Sequence, residues 1–167
     1  LIALTDQIFP GVDNLFGKTP RQDGHQKWVD FIKNYWHKDC ITKKSLKVFD
    51  TSYKKWCSQN GYHYQANKVT DIYQLASESV ASMPYNANTE LIITETANEL
   101  ISLTDTLEKL RKEMNRIASQ LPEYPAVLSL HGVGTTLGPQ LIAEIGDVRR
   151  FHNRKALIAY AGIDSSP

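Results

Sequence analysis

Apolar residues recur along this chain at spacings of three and four, and strand-like alternation is scarce. That pattern predicts a mainly α protein. Trp28, Phe31, Ile32 and Tyr35 fall on one helical face. Leu46, Phe49, Tyr53, Trp56 and Cys57 make the stripe of another helix, with Thr42 as its expected N-cap and Asn60-Gly61 as its stop. Val69, Ile72, Leu75, Ala76, Ser79 and Val80 mark a further stripe, ended by Pro84. Near the start, Phe9-Pro10-Gly11 stops a short helix, because proline and glycine both end helical runs. Residues 1–84 therefore read as a region of short helices.

Residues 85–121 read differently. Ile93, Thr96, Leu100, Leu103, Leu107, Leu110, Met114, Ile117 and Leu121 sustain a three-four alternation without glycine or proline. Ile93, Leu100, Leu107, Met114 and Leu121 take the first position of successive heptads, which predicts a long coiled-coil helix. Ile93, Leu100, Leu103, Leu107, Leu110, Met114 and Ile117 are its expected dimerisation residues. The alternative is one helix of a compact bundle, whose apolar face would be wider. Pro122 and Pro125 separate this helix from residues 122–167.

That last region reads as helix, Gly-Val-Gly hairpin, helix, basic turn and short helix. Gly132 and Gly134 bracket Val133, and Leu137, Leu141, Ile142 and Ile145 follow at helical spacing. This is the sequence form of a helix-hairpin-helix. The second helix would start at the hairpin with unpaired N–H groups and the positive end of its dipole. Glycines there would let a phosphate approach the backbone. Such a hairpin grips a nucleic-acid backbone without reading its bases. The expected contacts are His131, Gly132, Val133, Gly134 and Thr135, with Arg149, Arg150, Arg154 and Lys155 adding charge. The alternative is a tight turn between packed helices, with the arginines merely solvated.

Composition narrows the picture. Formal net charge is +1 over 167 residues, so any basic surface must be local. Lys43, Lys44, Lys47, Lys54 and Lys55, with Tyr53 and Trp56 between them, could touch phosphates or stack on RNA bases. They could equally be the solvated face of an amphipathic helix. Cys40 and Cys57 form no metal or secreted-disulfide pattern and read as reduced structural residues. His25, His37 and His63 show no ligand spacing with them, so no metal site is expected. Glu144 and Asp147 are catalytic acids by type, although Asp147 is better placed to cap the segment after Gly146. No apolar run suggests a membrane span or signal peptide.

The string His131-Gly132-Val133-Gly134, Glu144-Ile145-Gly146-Asp147, Arg149-Arg150-Phe151, Leu157 and Ala159-Tyr160-Ala161-Gly162-Ile163-Asp164 closely resembles one transposase family. It is similar to the C-terminal domain of the insertion-sequence one-ten family, with its relatives one-sixteen and nine-oh-two. His131 stands where the family often has proline, and Gly138 where hairpin motifs often carry alanine. A looser resemblance at residues 1–16 is to the segment after the family's first catalytic domain. The resemblance implies a piece of a longer enzyme that moves an insertion sequence by cutting and joining DNA. It implies Mg2+ on a carboxylate domain ahead of Leu1 and a nucleophilic serine just beyond Pro167. Ser165 and Ser166 align with non-catalytic positions, so no catalytic residue is carried over and the piece itself is expected to be inactive. DNA and an element-encoded guide RNA are the implied partners, beside self-association through the coiled coil. A cytoplasmic, nucleoid-associated bacterial protein is implied. Two rival readings remain open: a stand-alone helix-hairpin-helix DNA-binding module, and a coiled-coil assembly domain.

Overall fold

Helices account for the regular structure of the computed structural model, which describes residues 1–17 and 19–162 and contains no strand among them. Two compact units are present, Leu1–Glu108 and Lys109–Pro167. Their boundary falls inside the long helix, not at either of its ends.

In the first unit, α1 (Ile2–Ile8) ends at Phe9, and a 3-10 turn follows at Val12–Leu15. Gly11 starts that turn at φ 76°, a left-handed conformation that suits glycine. Then come α2 (Lys27–Asn34), α3 (Asp39–Thr42), α4 (Leu46–Gln59) and α5 (Ala66–Glu78). Phe31 on α2 is fully buried. Its ring lies 5.0 Å from Phe16, 4.7 Å from Tyr35, 6.0 Å from Tyr53 and 5.7 Å from Trp56, centroid to centroid. Truncating such a residue typically costs about 3–5 kcal/mol. Lys27 runs its stem along this cluster and donates from Nζ to the His63 carbonyl at 3.2 Å. Burial lowers the pKa of its ammonium.

The expected stripes form these helices, with local corrections. Thr42 ends α3, and Ser45 caps α4 by accepting the Val48 N–H. Leu46 is exposed at the helix start and drops out of the stripe, while Phe49, Tyr53, Trp56 and Cys57 are buried. Asn60 and Gly61 close α4 as expected, Gly61 at φ 67°. α5 stops at Glu78, before Pro84, so Val80 is exposed.

The long helix α6 (Ala87–Ala118) is continuous, as its unbroken pattern predicts. Asn86 Oδ1 accepts the Thr89 N–H at 2.9 Å. The apolar seam divides. Ile93 and Ala97 are fully buried, and Leu100 and Ile101 pack against the same core. Leu103, Leu107, Leu110 and Ile117 are exposed. Ile93 and Leu100 are thus taken up by the chain's own core and leave the seam expected for dimerisation.

His25 ties α6 to the loop before α2. Its Nε2 lies 2.9 Å from Asp105 Oδ1 on α6, and its Nδ1 lies 3.6 Å from Asp30 Oδ2 on α2. Tyr62 donates its hydroxyl to Asp30. His37, by contrast, is buried: Nδ1 accepts the Asp39 N–H, so Nε2–H donates to the Met83 carbonyl.

The second unit contains α7 (Tyr124–Leu128), α8 (Leu137–Ile145), a 3-10 turn at Val148–Arg150 and α9 (Arg154–Tyr160). Pro125 sits in the first turn of α7, where its missing N–H costs nothing. Gly138 is buried, and a Cβ there would lie 2.9 Å from Leu128 Cδ2. That contact lets α7 and α8 close on each other.

Two predictions follow from these contacts. The hydrogen bond to Asp105, with Asp30 and Asp23 nearby, raises the pKa of His25 above its ordinary value of 6.5. The stabilisation is therefore complete below that value and is lost as pH rises through the higher folded-state pKa. Denaturant midpoints of the chain should fall across that window, and His25→Gln or Asp105→Asn should flatten the fall. An equal slope in both variants would show that His25 is not its source. In the second unit, Gly138→Leu should cost about 1–3 kcal/mol by overpacking against Leu128. Gly134→Ala, with open space around it, should leave thermal stability unchanged.

Candidate nucleic-acid interface

The hairpin between α7 and α8 is formed by local hydrogen bonds. The Val133 N–H donates to the Leu130 carbonyl at 3.0 Å, and the Gly138 N–H to the Gly134 carbonyl at 2.8 Å. Gly132 takes φ 81°, which favours glycine at that position. Gly134 has no such backbone requirement. Nothing lies within 4 Å of a Cβ placed at Gly132 or Gly134. His131, Gly132, Gly134 and Thr135 are exposed, and Val133 is half-buried beneath them. Thr136, at the head of α8, makes no side-chain cap bond. The turn therefore presents exposed backbone at a helix start without a side-chain cap, where the dipole favours an anion, although the Val133 and Gly138 N–H groups are bonded within the turn and Pro139 has none.

The basic residues gather at the other end of α8. A nine-residue helix is about 13 Å long, so α8 holds the glycine turn and the basic turn apart. They form two positions along one helix instead of one cluster. Asp147 organises the second position: its carboxylate accepts the Arg149 N–H at 2.9 Å and meets the Arg149 guanidinium at 3.3 Å. The capping role expected of Asp147 is the one it takes. Arg150 lies 4.8 Å over the Phe151 ring and 4.6 Å over the Tyr160 ring. Tyr160 donates its hydroxyl to the Glu144 carbonyl at 3.1 Å. Arg154 and Lys155 are exposed at the start of α9, which Asn153 caps by accepting the Ala156 N–H.

The aromatic support of Arg150 goes beyond what the sequence pattern predicts. Its signal is the spacing of Phe151 and Tyr160 around a short helix, which periodicity alone does not single out. The residue type of Asn153 is the signal for its cap.

An apolar hollow of about 840 Å³ lies in the same unit, lined by Met114, Ile117, Leu121, Leu130, Ile142 and Val148 among others. Glu123, Asp147 and Arg149 are the charged groups at its wall. It offers no nucleophile–base pair. Ser165 and Ser166 lie outside the described residues.

No group of three or more His, Cys, Asp or Glu among the described residues could hold a metal ion. The described residues therefore provide no fitting site for the Mg2+ expected of the whole enzyme. Cys40 and Cys57 are free, and burial pushes both thiols up, away from nucleophilic behaviour. Among the described residues no helix is long and apolar enough to cross a membrane.

The lysine-rich helix separates cleanly into two faces. Tyr53 and Trp56 are buried, so neither can stack on a base. Lys43, Lys44, Lys47, Lys54 and Lys55 are all exposed.

No curated protein and no solved structure matches the chain. Residues 124–167 match the family described as Transposase IS116/IS110/IS902 family. The match begins at α7 and takes in the hairpin, α8, the basic turn and α9. The similarity to that family is therefore a property of the C-terminal segment from α7 onward.

Proposed function

We propose that this chain is a non-catalytic part of a transposase that holds nucleic acid through its C-terminal unit and self-associates through α6. The observation that carries the reading is the open Gly132-Val133-Gly134 turn at the uncapped start of α8, inside the segment that matches the family. The backbone there can meet a phosphate directly. Arg149, Arg150, Arg154 and Lys155 would meet further phosphates near the far end of α8. Stacking on Phe151 and Tyr160 orders Arg150, so little side-chain freedom remains to be lost on binding. DNA is the partner that transposition requires, and an element-encoded guide RNA is the second. Cutting and joining would fall to the carboxylate domain and the serine, with Mg2+ on the former.

The exposed part of the α6 seam supports self-association. Leu103, Leu107, Leu110 and Ile117 leave a long apolar stripe in water, and such stripes mark interaction surfaces. A parallel or antiparallel partner helix from a second copy would bury them. Ile93 and Leu100 take no part in this contact.

Both halves of the reading can be tested on the chain as it stands. Binding to short duplexes, followed by fluorescence anisotropy, should weaken as salt rises and vary little with base sequence. Gly134→Val should weaken it more than Arg150→Ala, because bulk blocks approach to the backbone while one arginine carries only part of the charge. The ordinary φ at Gly134 lets the variant fold, which circular dichroism would verify. Unchanged affinity in folded Gly134→Val would leave the hairpin a packing turn.

Sedimentation should show a dimer or larger assembly that Leu103→Asp with Leu107→Asp disperses, since each places a charge in a dry seam. A monomer at high concentration would end the coiled-coil reading.

A further inference from the structure

Charge is unevenly distributed along the first unit. Residues 33–55 contain seven lysines and two acidic residues. From Val69 to Glu108 there are seven acidic residues and no lysine or arginine. The separation is therefore between helices, and it concentrates positive charge on α4 and on the corner between α3 and α4.

Local contacts sharpen it. Both acids within the basic stretch are engaged: Asp39 pairs with Lys38 at 3.3 Å, and Asp50 accepts the Tyr64 hydroxyl at 2.6 Å. Lys43, Lys44, Lys47, Lys54 and Lys55 have no carboxylate within ion-pair distance among the described residues. Three of them are positioned by aromatic faces. The Nζ of Lys43 lies 3.4 Å from the Tyr85 centroid, that of Lys44 5.8 Å from Tyr35 and that of Lys54 5.6 Å from Tyr64.

Helix geometry sets the remaining pattern. Lys47, Thr51, Lys54 and Ser58 share the exposed face of α4, opposite buried Phe49, Tyr53 and Trp56. Lys47 and Lys54 are about 10 Å apart along the axis, a length over which duplex nucleic acid carries roughly six phosphate charges. The N-terminal end of α4 adds a positive dipole end beside Lys43, Lys44 and Lys47. No exposed aromatic ring of α4 is available for base stacking. This face can hold phosphates, and α4 itself offers no ring on which a base could stack.

We propose that the α3–α4 corner and the outer face of α4 form a second, sequence-independent binding surface for the phosphate backbone of duplex nucleic acid. It extends the nucleic-acid role proposed for the hairpin, yet stands on a separate observation in the other compact unit.

The test measures binding of the intact chain to a duplex DNA and a duplex RNA of the same sequence over a salt series. Lys47→Gln with Lys54→Gln should weaken binding roughly tenfold at low salt and reduce the slope of log affinity against log salt by about 2. Lys109→Gln with Lys112→Gln, also exposed, removes the same charge from α6 and should leave the slope near wild type. Whichever duplex shows the loss identifies the nucleic acid the face holds. Equal losses in both pairs would reduce the effect to net charge and overturn the proposal, as would no loss in the α4 pair. Gly134→Val separates the two readings. If it alone loses binding, the hairpin stands and the α4 surface fails. If the α4 pair alone loses binding, the outcome is reversed.

Discussion

The first unit depends on the burial of Phe31. Four aromatic rings stand around it, Phe16 just after the 3-10 turn, Tyr35 just after α2, and Tyr53 and Trp56 on α4, and each element is positioned by what it contributes. α4 offers Tyr53 and Trp56, together with Phe49 and Cys57, so its rotation about its own axis is fixed. Once that face turns inward, the periodicity of the helix leaves Lys47, Lys54 and Lys55 no inward alternative. The basic surface is thus a consequence of core packing as much as of composition. A helix free to roll would spread the same lysines over a changing surface and hold no phosphate in register.

α6 obeys a different constraint. Its apolar stripe is longer than the core available to cover it. Ile93 and Ala97 are fully buried and Leu100 packs beside them, whereas Leu103, Leu107 and Leu110 are exposed. One heptad pattern is therefore covered by the chain's own core over its first turns and exposed beyond them. Sequence periodicity reports the helix and its stripe but is blind to which turns are covered by the same chain. That depends on where α2 and the preceding loop end, and the His25–Asp105 contact at 2.9 Å marks that place.

The legibility of the rest follows the same logic. Phe49, Tyr53 and Trp56 revealed α4 because burial imposes a period on them. Thr42 misled because several side chains near that corner can cap, and only the path of the chain selects Ser45. In the second unit the order of helix, hairpin, helix, basic turn and helix was readable from Gly132, Gly134 and the apolar residues after them. Arg149 and Arg150, expected beside the glycine turn, stand at the far end of α8, because the nine residues of that helix intervene. What could not be read was the ring pair that holds Arg150, since Phe151 and Tyr160 meet only after α9 folds back.

The glycines of the hairpin divide the work of packing and access. Gly138 is used up inside, where even a Cβ would meet Leu128 at 2.9 Å. Gly132 and Gly134 face open space. A closely packed helix pair thus supports an unobstructed turn, and a rigid support is what backbone contacts to phosphate require. The two surfaces proposed for nucleic acid share one property: each rests on contacts to phosphate. Phosphate contacts fix register and orientation but carry no sequence information. On the proposed reading, these contacts fix where the backbone lies and carry no choice of target by themselves.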